Sequence, residues 1–262
     1  MGSSSLLSAG RCGVVLLQVI FVLSCCCCCC MGVRGDRNVA FSPCDDTTVE
    51  KGDGFTFGLL IGSNASFFSQ SKNYVQQLSP CKAVNSHGSS SSSLYSNRLS
   101  VFRPKVDEIS LLVVNYTELN PENFSGGGFA VVYAGSKFAA VSSPKFVANS
   151  SYHITSLSMV LEFDTGRLKT PIWKSDGCQA CQGVSPFVCV NGECAIRSQD
   201  CKRSGGVQDC SLSIQLTWAG TDRRYQVFNS WYQINSLGQY SLYKLYTSLK
   251  DSLTKQYNSI FH

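Results

Sequence analysis

The chain has 262 residues, 44% of them apolar and 15% charged, with a net charge of +5. A chain of this length buries a core of its own without metal or disulfide support. The charge excess is small and no Lys/Arg block runs through the sequence, which argues against phosphate tracking and a nucleic-acid partner.

The first element is a targeting segment. Arg11 is the only charge before Met31, so its removal lowers the net charge to +4. Residues 12–30, CGVVLLQVIFVLSCCCCCC, are a charge-free apolar run of 19. This predicts a signal peptide over residues 1–30. The run approaches the length of a bilayer span, so an uncleaved signal anchor is the competing reading, and membrane attachment depends on it. The consecutive cysteines Cys25 to Cys30 leave with a cleaved signal. Gly2 does not open a myristoylation motif, because Leu6 occupies the position that needs Ser or Thr.

A β-rich extracellular domain is predicted over residues 38–237. FTFGLLI at 55–61 places Phe55, Phe57, Leu59 and Ile61 on one face. EISLLVVN at 108–115 and FAVVYA at 129–134 are near-continuous apolar runs, as strands buried on both faces would be. Between these strands, SHGSSSSSLYSN at 86–97 is a low-complexity loop. Leu157, Met159, Leu161 and Phe163 then alternate with outward Ser156, Ser158 and Glu162. Asp164-Thr165-Gly166 supplies turn chemistry, and Arg167 to Lys174 returns as the second arm of a hairpin. Leu212, Ile214, Leu216 and Trp218 alternate with polar partners until Gly220.

These short strands are not separated by helical patterns. They predict a mainly β fold: an antiparallel β-sandwich or jelly-roll-like domain. A cysteine-rich, disulfide-stapled insertion is predicted at 175–210. From 238 to 260, Leu242, Leu245, Tyr246, Leu249, Leu253 and Tyr257 recur at three- and four-residue spacing. That is a C-terminal amphipathic helix packed on the domain, with a membrane-surface helix as its rival.

Eight cysteines remain after signal removal: Cys44, Cys81, Cys178, Cys181, Cys189, Cys194, Cys201 and Cys210. An even count behind an export signal predicts four disulfides. If Cys44 joins Cys81, Cys201 is expected with Cys210, while Cys178 and Cys181 each reach Cys189 or Cys194. Cys178-x-x-Cys181 also has zinc-ligand spacing, but zinc fits an oxidising compartment poorly, so neither a metal nor another cofactor is expected. Four sequons, at Asn64, Asn115, Asn123 and Asn149, accord with export.

Catalytic constellations are sparse. There is no G-x-S-x-G elbow, H-E-x-x-H pair or phosphate loop. Of the three histidines only His153 is expected in structured chain. Glu162-x-Asp164 puts two carboxylates on alternate strand residues, the arrangement of a jelly-roll glycosidase; the competing reading is an outward Glu and a turn Asp. Asp107 and Glu108 are expected on opposite faces of a strand, and Asp45-Asp46 in a solvated turn. Trp173, Trp218, Trp231 and Tyr232 are read as core packing or as platforms for sugar rings, with Trp218 assigned to the core.

Several stretches carry a family resemblance: VAFSPC at 39–44, GFTFG at 54–58, FRPKVDEISLL at 102–112, WKSDGC at 173–178, CAIR at 194–197, DCSLSIQL at 209–216, NSWY at 229–232 and QYSLYKLY at 239–246. Together they resemble plant secreted proteins of the Expp type, which have no assigned biochemical activity. The resemblance implies a plant source and a secreted or cell-surface location, and it brings no catalytic residues.

These readings converge on a secreted plant cell-wall or cell-surface glycoprotein in the apoplast, binding or structural rather than enzymatic. Its expected partner is a cell-wall polysaccharide or a cell-surface protein. A carbohydrate-active enzyme using Glu162 and Asp164 is the alternative. The stapled loop is where a partner surface is expected first.

Overall fold

The computed structural model describes residues 36–70, 75–81, 98–114, 124, 126–175, 177–178 and 181–236. The signal segment, the serine loop, Asn115, Asn123 and the helix expected over 238–260 lie outside the described residues. In chain order the strands are β1 (Phe57–Gly62), β2 (Phe68–Gln70), β3 (Val75–Gln77), β4 (Arg98–Phe102), β5 (Ser110–Val114), β6 (Gly128–Ala134), β7 (Ala140–Val141), β8 (Lys145–Ala148), β9 (Tyr152–Ile154), β10 (Ser156–Asp164), β11 (Arg167–Lys174), β12 (Phe187–Val190), β13 (Glu193–Arg197) and β14 (Leu212–Gly220). One short helix, α1 (Ser230–Ser236), follows.

Two sheets face each other. The larger has the order β12-β13-β9-β8-β6-β1-β4, with β7 also on β6; the smaller has the order β11-β10-β14-β5. Phe57, Leu59 and Ile61 of β1 meet Leu157, Met159 and Leu161 of β10 and Leu212, Ile214 and Leu216 of β14 in one buried core. Period-two alternation in these strands puts every second side chain on the inner face, which is why the pattern was readable. Thr155 makes the corner between the sheets: its N–H donates to Cys194 O at 3.3 Å, and its own carbonyl accepts from Ser213 N–H at 2.9 Å.

The fold is a mainly β sandwich, with three departures from the sequence expectations. First, β10 and β14 run parallel, from Ser156 beside Ser213 to Phe163 beside Gly220, so the small sheet is mixed. Second, residues 108–115 are not buried on both faces. β5 is an edge strand, with Leu111 51% and Val113 53% exposed. A continuous apolar run cannot by itself distinguish a central strand from an edge. Third, Asp107 and Glu108 lie in a turn ahead of β5 rather than on a strand.

Both sheets carry a further layer. On the outer face of the large sheet, Leu60, Val131 and Tyr133 pack with Phe67, Phe68 and the Cys44–Cys81 disulfide, so the β2–β3 hairpin is pinned over that face. On the outer face of the small sheet, Ser158, Val160 and Thr217 are buried. Helix α1 begins there: Ser230 Oγ accepts from Trp218 N–H at 2.9 Å, and Trp231 reaches Lys174 on β11, 5.2 Å from ring centroid to Nζ. Ser158, expected in solvent, therefore points outward from the sheet but not into water.

Gly58 shows how tightly the outer layer is built. A Cβ at Gly58 would lie 2.3 Å from the Tyr133 ring, which crosses β1 at that point. Gly58→Ala is expected to destabilise the fold by about 1–3 kcal/mol in urea unfolding. Adding Tyr133→Leu, which empties the contested space, should make the double variant clearly less destabilised than the sum of the single changes. Strict additivity would refute the packing argument.

Candidate binding surface

The loops at the end of the sandwich where β6, β10 and β14 finish are joined to one another by their backbones. Gly135 N–H donates to Pro43 O at 2.7 Å, Val49 N–H to Gly166 O at 2.8 Å, Gly52 N–H to Val106 O at 3.1 Å, Gly166 N–H to Thr221 O at 2.9 Å and Arg223 N–H to Val49 O at 3.1 Å. Their floor is aromatic. Phe55, Phe163, Trp218 and Phe228 interlock, with Phe55 and Phe163 edge to face at 5.1 Å. The Trp218 indole N–H donates to Glu108 O at 2.9 Å, so the ring is buried without losing its polar partner. Trp218 belongs to the core, as its alternation required.

Carboxylates stitch these loops from beneath. Asp222 Oδ1 accepts from Arg224 N–H at 2.7 Å and Gln226 N–H at 2.8 Å, and its Oδ2 from Lys51 N–H at 3.2 Å. Asp107 Oδ1 accepts from Asn229 and Ser230 N–H, and its Oδ2 pairs with Lys51 Nζ at 2.6 Å. Glu50 takes Arg223 Nε at 2.6 Å and Arg224 Nε at 3.0 Å on one oxygen. The hydrogen bond from Arg223, with Arg224 behind it, holds the Glu50 carboxyl below the usual carboxylate range. Asp46 accepts from the N–H groups of Ser136, Lys137 and Phe138 at 2.8–3.1 Å. Partial burial pushes the Asp46 carboxyl up, and those three donors outweigh it, so its pKa lies below the ordinary value.

Above the carboxylates the loops display aromatics and cations. Phe41 is 69% exposed, with the Arg103 guanidinium 4.1 Å from its centroid. Arg103 is itself fixed by hydrogen bonds to Thr56 Oγ1 and Asp36 Oδ2, both at 2.7 Å, and to the Asn38 and Ala40 carbonyls. Phe138 is 47% exposed, with Arg167 4.1 Å and Lys137 5.5 Å from its centroid. Tyr225 is 75% exposed and holds φ at 62°, a left-handed conformation that a bulky residue rarely adopts.

Of the residues singled out from sequence, Asp46, Asp107 and Trp218 lie at this end, and the others are spread over the fold. Glu162 and Asp164 share the outer face of β10. A bulge opposite Glu162 lets Lys169 pair with it at 3.3 Å, and Asp164 is exposed at the hairpin turn. Neither lines either of the two depressions described below. His153 is buried in β9, with Ala148 and Ile196 as cross-strand neighbours. Trp173 is half-buried, its N–H bonded to Ser142 Oγ and Ser143 O. Asn64 is exposed on a 3-10 turn. Asn149 is half-buried at the β8–β9 turn, where its Oδ1 accepts from Ser151 and Tyr152 N–H.

The cysteines pair as Cys44–Cys81, Cys178–Cys189, Cys181–Cys194 and Cys201–Cys210, so the middle two bridges interleave. Cys178 and Cys181 are thereby disulfide sulfurs rather than zinc ligands. Among the described residues no group of three or more His, Cys, Asp or Glu side chains could hold a metal ion. The stapled segment also joins the main fold: β13 pairs with β9, and Ala195 lies in the central core. Two open depressions flank Arg197 there. One of about 290 Å³ runs along Ser150–Tyr152 and Ser198–Gln199, and one of about 350 Å³ along Gly183–Val188 and Asp200.

The exposed aromatic–cation loops were not found from sequence. The available signal was faint: Asp222-Arg-Arg-Tyr225 after the last strand, and Arg167 beside a turn. Nothing in either stretch shows that a distant chain segment, around Phe138, comes alongside.

Fold and surface define a disulfide-braced β-sandwich with an organised, aromatic-bearing loop end. Among the described residues no helix is long and apolar enough to cross a membrane. A family model described as Uncharacterised protein DDB_G0273449 matches residues 14–153 and 143–254, and the chain belongs to that family. No curated protein and no solved structure matches the chain.

The lowered pKa of Asp46 ties this end to pH. The folded state holds the proton less readily than the unfolded chain, so Asp46 contributes stability above the ordinary aspartate value, about 3.9. That contribution is lost as pH falls through the lower folded value. Urea midpoints taken from pH 6 downwards should drop less steeply for Asp46→Asn than for the natural chain; identical profiles would show that the three N–H donors do not hold the carboxylate.

Proposed function

We propose that this protein is a secreted plant cell-wall or cell-surface glycoprotein that acts by binding rather than by catalysis. The observation that carries the reading is the loop end of the sandwich, where Phe41, Phe138 and Tyr225 stand exposed on loops held by Arg103, Asp46 and Asp222. Exposed aromatics on rigid loops stabilise a complex at low entropic cost. Four disulfides are compatible with an extracellular protein. The exposed sequon at Asn64 and the Expp-type resemblance support the same location.

The competing enzyme reading has in its favour that Glu162 and Asp164 share one face of β10. Against it, Glu162 is paired with Lys169 and neither carboxylate lines one of the two depressions described.

The two readings separate in one experiment. Mature protein collected from culture medium is incubated with fractionated cell-wall material. Binding predicts retention on at least one polysaccharide fraction, no release of reducing sugar, and unchanged retention for the Glu162→Gln/Asp164→Asn variant. Sugar release that this variant abolishes would establish the enzyme. Retention on no fraction, with no sugar released, would defeat both readings.

A further inference from the structure

We propose that the loop end takes an acidic polysaccharide, with Arg167, Arg223 and Arg224 receiving uronate carboxylates and Phe138 and Tyr225 receiving the faces of the sugar rings. This rests on the binding reading above and names its ligand class.

The charge arrangement supports an anion. Arg223 and Arg224 both turn to the carboxylate of Glu50, and the acids beneath them, Glu50 and Asp222, are buried, so it is the cations that face solvent. Glu50 is buried while both guanidiniums reach solvent, with side chains 40% and 44% exposed. Arg167 has Asp164 as its cross-strand neighbour, yet its guanidinium lies over Phe138 and makes no ion pair among the described residues. Lys137 adds a fourth cation beside the same ring. Guanidinium groups accept a planar carboxylate through two parallel N–H bonds, and a uronate presents one such group on each sugar.

The aromatic groups favour a sugar chain over other polyanions. Phe138 lies under Arg167, Tyr225 follows Arg224 in the chain and is exposed, and both offer flat apolar faces that a sugar ring can cover. The turn that leads into Arg167 touches the loop that carries Tyr225, and Arg167 in turn lies over Phe138. A Cβ placed on Gly166, next to Arg167, would lie 2.7 Å from Arg223 N and 3.0 Å from Arg223 Cβ, and Tyr225 is two residues further on. The left-handed backbone at Tyr225 is fixed by Asp222, whose Oδ1 binds Arg224 and Gln226 N–H and whose carbonyl accepts Tyr225 N–H at 3.0 Å. Glycine would hold that conformation without strain, so a tyrosine there keeps its ring outward at a cost to the fold.

The test uses the full mature glycoprotein, with sodium polygalacturonate and its fully methyl-esterified form as probes in affinity electrophoresis. The acid form should retard the protein, the ester should not, and added salt should weaken the retardation. Arg167→Ala and Arg223→Ala should each weaken binding about fivefold, as expected for one exposed guanidinium–carboxylate pair. Lys202→Ala, which removes a charge from the stapled segment, should leave binding unchanged. Tyr225→Gly should be no less stable than the natural chain and should still lose affinity, so a folding defect cannot imitate the result. Equal binding of acid and ester, or equal weakening by Lys202→Ala and Arg167→Ala, overturns the proposal. Retention on a neutral wall glucan without binding to polygalacturonate overturns it too and leaves the binding reading standing; retention on no wall fraction defeats both.

Discussion

The parallel pairing of β10 with β14 is the constraint on which the rest of the structure depends. Two parallel neighbours cannot be joined by a hairpin; the chain must travel back to the starting end before the second strand begins. Here β11 makes the return trip as the outer arm of a hairpin and leaves the chain on the wrong side of β10. Residues 175–211 must then cross to where β14 starts. They do so by joining the opposite sheet: β12 pairs with β13, and β13 with β9. A crossover this long carries a closure entropy that local turns do not. Three of the four disulfides fall inside it, at Cys178–Cys189, Cys181–Cys194 and Cys201–Cys210. Bridges that restrict the unfolded crossover offset that entropy at the segment that bears it.

The same pairing sets what stands at the other end. Because β10 and β14 finish side by side, the Thr165-Gly166 turn meets the loop after Gly220, and Gly166 N–H bonds Thr221 O. Both turn residues have positive φ, as a two-residue hairpin matched to strand twist requires. Arg167 and Arg223 are neighbours because two parallel strands end together, although 56 positions part them in sequence. Below them lies the aromatic floor; at their level, charge is divided by depth. Buried Glu50, Asp107 and Asp222 are satisfied by backbone N–H groups or cationic heads, and the cations reach water. Burying a carboxylate without such donors would be costly, so the acids sit where several N–H groups converge.

Much of this sandwich was legible in the sequence. Phe57, Leu59 and Ile61, Leu157 to Phe163, and Leu212 to Trp218 alternate, and strand geometry turns alternation directly into an inner face. The Asp164-Thr165-Gly166 turn follows from local chemistry, and the even cysteine count points to four bridges without fixing their partners. What escaped was relational. Edge and centre look alike in an apolar run, so β5 was misjudged. Strand direction is a property of the connection rather than of either strand, so the parallel pair was missed. The candidate surface escaped for the same reason. Phe138, Arg167 and Tyr225 lie in separate stretches of sequence, and only the ends of β6, β10 and β14 bring them to one end of the sandwich. The two carboxylates that sequence spacing did bring together, Glu162 and Asp164, share a face but meet a lysine across a bulge.

The three crossover disulfides and the aromatic-bearing loops therefore lie towards different ends of the molecule. β6 starts beside Ala148, near the Arg197 depressions, and ends at Ala134, beside the Phe138 loop. Seven residues of strand separate the two ends, roughly 20–24 Å. The covalent bracing within the crossover lies towards the first end, and the exposed aromatics lie at the second. Cysteine density signals where the chain needs restraint; it is silent about where a ligand would rest. At the second end hydrogen bonds add to the Cys44–Cys81 bridge. Asp46 holds three successive N–H groups of the Phe138 loop, Asp222 holds the Tyr225 turn, and Arg103 holds the arm that carries Phe41. Bonds of this kind fix backbone geometry and leave the side chains above them free for contact, which is the arrangement a preformed binding surface requires.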